Sequence, residues 1–214
     1  MVEEVSLSNI YDLIDLMKIR PAMYIGECKI SAMSSFLDGY FFCSHIHGIE
    51  QEKVFPPFWY FHEWAKEEYN WYESTAGWKN IILQENDNDE AKALTVFFDL
   101  MADFKTLHPI KIERLRLEKQ NLAFHHSEKC TTKYMDGTPI YAAASEVLLV
   151  TYSHNFGLSY FVPNTGNAFD FSWRNRFKNE KTAKQSIERL FGKPQNAWEI
   201  LDGDLFTIMK KVMQ

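Results

Sequence analysis

The chain has 214 residues, of which 46% are hydrophobic and 24% charged, and this composition is typical of a globular protein. Nine Gly and seven Pro are too few for a collagen-like or low-complexity chain, and no apolar run approaches the ~20 residues of a membrane span. The three cysteines, Cys28, Cys43 and Cys130, form no CxxC pair, and their odd number suits a reducing compartment. We therefore expect a soluble, cytoplasmic protein.

Charge is divided unevenly along the chain. Residues 1–105 hold 8 Lys and Arg against 18 Asp and Glu, a net charge of −10, whereas residues 106–214 hold 15 against 11, a net charge of +4. The hydrophobic pattern changes from helical to mostly strand-like at the same place. We predict an acidic helical domain over 1–105 and an α+β domain with an antiparallel sheet over 106–214, with the boundary between Thr106 and Glu113.

Apolar residues at helical spacing predict five short helices in the first half, which form one bundle. Asn9 caps the first helix and Pro21 ends it. Gly39, inside the second helix, marks close packing. Asp87, with Glu90 three residues later, resembles a capping box and opens the fifth helix. The predicted helices run from Asn9 to Arg20, from Ser31 to His47, from Pro56 to Tyr69, from Ser74 or Thr75 to Ile82, and from Asp87 to Met101.

Apolar segments separated by turn residues in the second half predict three antiparallel strands, followed by helices and a further strand. Residues 110–141 are less legible, although Asp136-Gly137 predicts a tight turn. The predicted fold class is α+β, with an N-terminal helical bundle followed by an antiparallel β-meander and two C-terminal helices. Its elements are strands over 146–153, 158–164 and 168–173, a helix from Asn179 to Gly192, a strand over 197–201 and a helix from Asp204 to Met213.

Residues 20–26, with the sequence RPAMYIG, resemble the RPGMYIG stretch of the type II topoisomerase ATPase domain, which lies beside a nucleotide pocket in that family. The rest of that nucleotide site has no counterpart, because no Asp-x-Gly-x-Gly phosphate loop occurs in the chain. We favour a structural interpretation, in which Pro21 and Gly26 shape a tight connection between helices while Met23, Tyr24 and Ile25 pack into the core.

Candidate metal-binding and catalytic residues form no specific motif. Structural zinc sites usually have four ligands in tight pairs, and the His and Cys residues here are loosely spaced. No GxSxG elbow occurs, and the paired carboxylates fall on polar helix faces. We therefore expect no metal, no cofactor, no catalytic residues and no enzymatic activity. The two loose groups are Cys43, His45, His47 and His62, and His125, His126 and Cys130.

Residues 173–178 interleave aromatic and cationic side chains, a pattern that can stack a nucleic-acid base and hold its phosphates. The cations are Arg174, Arg176 and Lys178. The alternative interpretation is a strand end that leads into the helix at Asn179. The acidic net charge of the chain disfavours nucleic acid as a partner.

Residues 69–78 place large aromatic side chains beside a helix start in the acidic half. Aromatic residues in such a segment are either core residues or interface anchors. Trp78 begins an apolar stripe and is assigned to the core, whereas Trp71 and Tyr72 are the interface candidates. We predict that a partner contacts Trp71 and Tyr72 together with the neighbouring acidic residues Glu67, Glu68 and Glu73.

Three segments of the first half are similar to a family of small bacterial proteins, some of which resemble the immunity proteins of contact-dependent growth inhibition and related toxin systems. The resemblance implies a cognate toxin domain as partner, and it carries over no catalytic or binding residue. The segments are YDLIDLMKIRPAMYIGECKISAMSSFLDGY (11–40), YNWYESTAGWKNIIL (69–83) and NDEAKALTVFFDLMADF (88–104).

Charge supplies a separate argument for such a partner. Nuclease toxins bind phosphates and are commonly basic, so an acidic inhibitor with aromatic anchors gains association rate and specificity. We expect an immunity or antitoxin-like protein that neutralises a nuclease toxin by forming a tight complex and has no membrane partner. Exposed aromatic residues also suit a homodimer. A nucleotide-binding or RNA-binding regulatory protein is the alternative.

Overall fold

A computed structural model describes residues 8–48, 55–71, 77–127, 144–163, 173–194 and 196–212. The chain divides into two compact units, Met1–Leu107 and His108–Gln214. The described residues of the first unit form helices, and those of the second form helices and one sheet, so the predicted α+β fold class is confirmed. Within these ranges, no helix is both long enough and apolar enough to cross a bilayer.

The first unit begins with a capped helix, as the sequence predicts. The side chain of Asn9 accepts hydrogen bonds from the backbone N–H groups of Tyr11 at 2.8 Å and Asp12 at 3.3 Å. These bonds satisfy donors that have no partner within the helix. The described helices of this unit are α1 (Ile10–Ile19), α2 (Pro21–Ile25), α3 (Ile30–Ile46), α4 (Phe61–Glu68), α5 (Gly77–Gln84) and α6 (Glu90–Phe104), and a 3-10 turn spans Phe58–Tyr60.

The predicted start of α6 at Asp87 is wrong, because Asp89 is the capping residue. The Asp89 carboxylate accepts two backbone N–H bonds from the first turn of α6, both at 3.0 Å. Asp87 lies in the preceding turn with φ 59°, and its carboxylate binds Lys92 at 3.1 Å. Glu90 instead accepts hydrogen bonds from the backbone N–H and hydroxyl of Ser31, both at 3.0 Å, and so joins the first turns of α3 and α6.

Aromatic rings from α4, α5 and α6 fill the centre of the first unit. The ring of Phe61 is fully buried, and its centroid lies 5.6 Å from Trp78, 5.5 Å from Phe97 and 5.4 Å from Phe104, all edge-on. Trp78 is half-buried and stacks on Phe97 at 4.8 Å. Full burial of each such side chain contributes about 1.5–3 kcal/mol, and the edge-to-face geometry adds to this. These contacts hold the first turns of α4 and α5 against α6.

Two predictions for the first unit are wrong. Met23 is 71% exposed and Tyr24 and Ile25 are only partly buried, because residues 21–25 form the short helix α2, none of whose side chains is buried. Gly39 does not mark close packing in the described part of the chain, since no atom there lies within 4 Å of the place where its Cβ would stand. Gly26 does end α2, at φ 79°.

The described residues of the second unit form a five-stranded antiparallel sheet with strand order β4-β3-β2-β1-β5. The predicted hairpin over 146–164 is confirmed as β2 and β3. Residues 168–172 of the next predicted strand lie outside the described residues, and the observed strand begins at Trp173. The strands are β1 (Pro109–Arg116), β2 (Ala144–Tyr152), β3 (Gly157–Pro163), β4 (Trp173–Arg176) and β5 (Glu199–Ile200), and the helices are α7 (Lys119–His126), α8 (Glu180–Phe191) and α9 (Leu205–Val212).

Helix α8 packs on one face of this sheet. Leu115, Val147 and Phe161 stand opposite one another on β1, β2 and β3, so their side chains lie on the same face. Ile187 and Phe191 of α8 join them in one buried cluster. The predicted helix from Asn179 to Gly192 is therefore confirmed, and its apolar stripe is the surface that covers the sheet.

Helix α7 is attached to the C-terminal end of α8 by two buried polar side chains. Asn121 donates from Nδ2 to the carbonyl oxygen of Phe191 at 3.0 Å, and His125 donates from Nδ1 to that of Leu190 at 2.9 Å. The last carbonyls of a helix have no partner inside it. The two side chains of α7 satisfy two of them where water has little access.

A chain of four charges joins β1 to α8 beside the buried cluster. The nearly buried carboxylate of Glu113 binds Lys184 at 2.8 Å and Lys111 at 3.2 Å, and Lys111 also binds Glu180 at 2.8 Å. Burial raises the pKa of the Glu113 carboxyl, but the bonds and charges of Lys184 and Lys111 outweigh burial and hold that pKa below its usual value. The bond to Glu180 raises the pKa of Lys111.

Candidate partner-binding surface

Helix α4 ends in a Schellman motif that determines the position of Trp71. The backbone N–H of Trp71 donates to the carbonyl of Lys66 at 2.9 Å, and that of Asn70 donates to Glu67 at 3.0 Å. Asn70 adopts the left-handed conformation, φ 58°, that this helix ending requires. The chain therefore reverses tightly and returns Trp71 to the end of α4.

The indole of Trp71 connects the ends of two helices. Its Nε1–H donates to the carboxylate of Glu85 at 2.7 Å, and Glu85 directly follows α5. Because the acceptor is charged, this hydrogen bond is stronger than a neutral one. It links Glu85 to the residue that closes the end of α4, where Glu67 and Glu68 stand. We call these four residues, Glu67, Glu68, Trp71 and Glu85, the Trp71 surface.

The acidic residues of the Trp71 surface stand where the helix dipole opposes them. Glu67 and Glu68 are the last two residues of α4, and the backbone N–H of Glu85 closes the last turn of α5. A helix C-terminus carries roughly half a negative charge and favours cations by about 0.3–1 kcal/mol. Positions three and four residues from Glu68 hold no cation that would offset its charge. Residues that oppose the local energetics of their helix, as these acidic residues do, are typical of functional sites.

Most of the described lysines in the first unit are held beside acidic residues of the same unit. These exposed or partly exposed pairs contribute little to stability. They do keep the positive charges next to negative ones, so the surplus of acidic residues dominates the field around this unit. The pairs are Lys18–Asp99 at 3.3 Å, Lys66–Glu63 at 3.1 Å, Lys92–Asp87 at 3.1 Å, Lys105–Asp15 at 2.5 Å, and Lys29–Glu27.

Three of the five predicted partner-binding residues lie in the described part of the chain, and they lie together. Glu68 is exposed, whereas Glu67 and Trp71 are partly buried. Tyr72 and Glu73 lie outside the described residues. Sequence reasoning missed Glu85, which is 14 residues from Trp71 in the chain. No periodic signal connects the two positions, because their contact depends on how α4 packs against α5.

The residues considered as metal ligands do not converge where the structure describes them. Cys43 and His45 are exposed at the end of α3, and His125 is bonded to the carbonyl of Leu190. Cys130 lies outside the described residues. Among the residues that are described, no group of three His, Cys, Asp or Glu side chains is placed to hold a metal ion.

The segment considered for RNA binding forms the edge strand β4. Trp173 stands opposite Phe161, whereas positions 174 and 176 stand opposite Tyr160 and Leu158. RNA binding through this segment stays a prediction.

Comparison with known proteins found no matching family model, no similar curated protein and no similar solved structure.

Proposed function

We propose that this protein is an immunity or antitoxin-like inhibitor that neutralises a cognate bacterial toxin by forming a tight complex, with the Trp71 surface as its contact. The observation that carries the proposal is the collection of acidic residues at two helix C-termini around one aromatic anchor. In the free protein the helix dipole opposes the charges of Glu67 and Glu68, the last two residues of α4. A basic partner would gain from these charges.

The charge of the Trp71 surface favours a partner that binds phosphates. Nucleases concentrate Lys and Arg around their substrate groove. An acidic surface that occupies this groove would exclude the substrate and accelerate association with the toxin. Trp71 would supply the apolar anchor, and Glu85 holds its ring in one orientation before binding.

The decisive experiment has two stages. Affinity capture of the tagged protein from its native cells, followed by mass spectrometry and sizing, should recover a stoichiometric partner that carries a toxin domain. The purified toxin domain should then lose its nuclease activity when the protein is added, and co-expression should restore growth. Recovery of the protein alone while the toxin genes are expressed would contradict the proposal.

Charge variants locate the contact within that complex. Glu68→Gln should slow association with the toxin and reduce the salt dependence of the association rate, since it removes one steering charge. Asp99→Asn is the matched control, because Asp99 is an exposed acid within α6 and its loss changes the net charge equally. Equal effects of the two variants would show that net charge, and not the Trp71 surface, governs binding.

A further inference from the structure

Helix α3 has a second apolar stripe that faces away from the first unit. Ile30, Met33 and Leu37 form its buried stripe. Phe42 and Ile46, by contrast, are 67% and 58% exposed. Monomeric proteins do carry single exposed apolar residues. Two large ones at i and i+4 on the same helix form a continuous apolar ridge.

This ridge continues into two small residues with heptad spacing. Ser35, Gly39, Phe42 and Ile46 are separated by four, three and four residues, and all four are exposed. That spacing is the seam of a two-helix coiled coil. Gly39 costs helix stability, and the residues that the structure describes place no atom within 4 Å of its Cβ position. Open space above a helical glycine allows another helix to approach closely.

We infer that the exposed seam of α3, Ser35, Gly39, Phe42 and Ile46, pairs antiparallel with the same seam of a second copy of this chain. The antiparallel arrangement is self-complementary in size. With the two-fold axis midway between Gly39 and Phe42, Phe42 of one copy lies opposite Gly39 of the other. Ile46 then lies opposite Ser35, so each large side chain meets a small one.

The residues beside the seam are complementary in charge. Asp38 and His45 flank it at equivalent heptad positions, and both are exposed. In an antiparallel pair such positions face each other, so the Asp38 carboxylate of one copy meets the His45 imidazole of the other, twice in the dimer. Within one helix the two residues are seven positions and about 10 Å apart. They are therefore too distant to bond in a monomer.

The seam is short, so the dimer is weak. Two large side chains from each copy bury less than the standard interface of about 1,600 Å². We expect a dissociation constant of about 10–100 µM. This association is independent of the proposed toxin partner, since it involves neither Trp71 nor the ends of α4 and α5.

Sedimentation of the full chain from about 2 to 300 µM, a range that spans the expected dissociation constant, tests this inference. The weight-average mass should rise from 25.2 kDa toward twice that value. Phe42→Glu should weaken association about 100-fold or more. Met23→Glu is the matched control: it also replaces an exposed apolar residue of the first unit by an acid, and it should dimerise like the wild type. Circular dichroism checks that each variant is folded.

Charge exchange tests the antiparallel arrangement. Asp38→Lys and His45→Glu should each weaken the dimer about five- to tenfold, and the double variant should recover the wild-type affinity. A wild type that stays monomeric at the highest concentration would overturn the inference. Dimerisation of Phe42→Glu at wild-type strength would place the interface elsewhere, and a double variant without recovery would exclude the antiparallel register.

Discussion

Removing the charge of Glu68 should stabilise the free protein. Glu68 is the last residue of α4, so its charge stands in the last turn, at the negative end of the helix dipole. Glu67 adds a second negative charge next to it. Gln has nearly the same helix propensity and shape as Glu, so Glu68→Gln changes little besides the charge.

The expected gain follows from the position of Glu68. An exposed charge in the last turn contributes about 0.3–1 kcal/mol at low ionic strength. For a chain of this size, that corresponds to a rise in Tm of about 1–4 °C. The gain should shrink in high salt, because salt screens an exposed charge.

Thermal and urea unfolding of Glu68→Gln and Asp38→Asn at low micromolar concentration would measure this effect. Asp38→Asn should leave stability nearly unchanged, because the dipole acts only within the first and last turns and Asp38 is mid-helix. A destabilised Glu68→Gln, or an equal gain in both variants, would refute the dipole argument. That result would also remove the main support for the Trp71 surface.

Three further predictions concern particular side chains. Trp71→Phe removes the indole N–H that Glu85 accepts and should cost about 0.5–1.5 kcal/mol of unfolding free energy in a urea titration. His125→Phe leaves a carbonyl of α8 without its donor at a fully buried position and should cost about 1–3 kcal/mol, measured in the same way. Because the pKa of Glu113 is lowered by folding, its stabilising contribution is present above the unfolded value near 4.5 and is lost as the pH falls through the lower folded value. Unfolding curves from pH 6 downward, a range that crosses this loss, should therefore converge for the wild type and Glu113→Gln.

The elements that the sequence predicts well are those whose signals are local. Asn9 and Asn179 cap α1 and α8 as predicted, because a capping side chain bonds to N–H groups two or three residues away. The hairpin of β2 and β3 follows from two apolar segments separated by a turn, which are also local signals. The predicted start of α6 is misplaced because two nearby aspartates, Asp87 and Asp89, are both suited to cap a helix.

Strand β1 shows why other elements escape sequence reasoning. Ile110 and Ile112 alternate with Lys111 and Glu113, but Arg114 then stands where the next apolar residue would continue the strand pattern. Glu113 is nevertheless nearly buried, because Lys184 binds it from a helix 71 residues further along the chain. A buried charge is stable only beside an opposite charge. Here folding brings that opposite charge close from a distant part of the chain.

The Trp71 surface likewise contains residues that the sequence identifies and one that only the tertiary structure identifies. Glu67, Glu68 and Trp71 could be chosen from the sequence, because acidic residues adjoin an aromatic segment in the acidic half. The sequence by itself therefore determined the helix caps, the hairpin, the division of charge and the residues of one helix end. Only the tertiary structure decided that Glu85 joins them, that Met23 is exposed and that the second face of α3 is uncovered. Each of these depends on which helices meet, and that is determined by the long-range packing of aromatic rings such as Phe61 on Phe97.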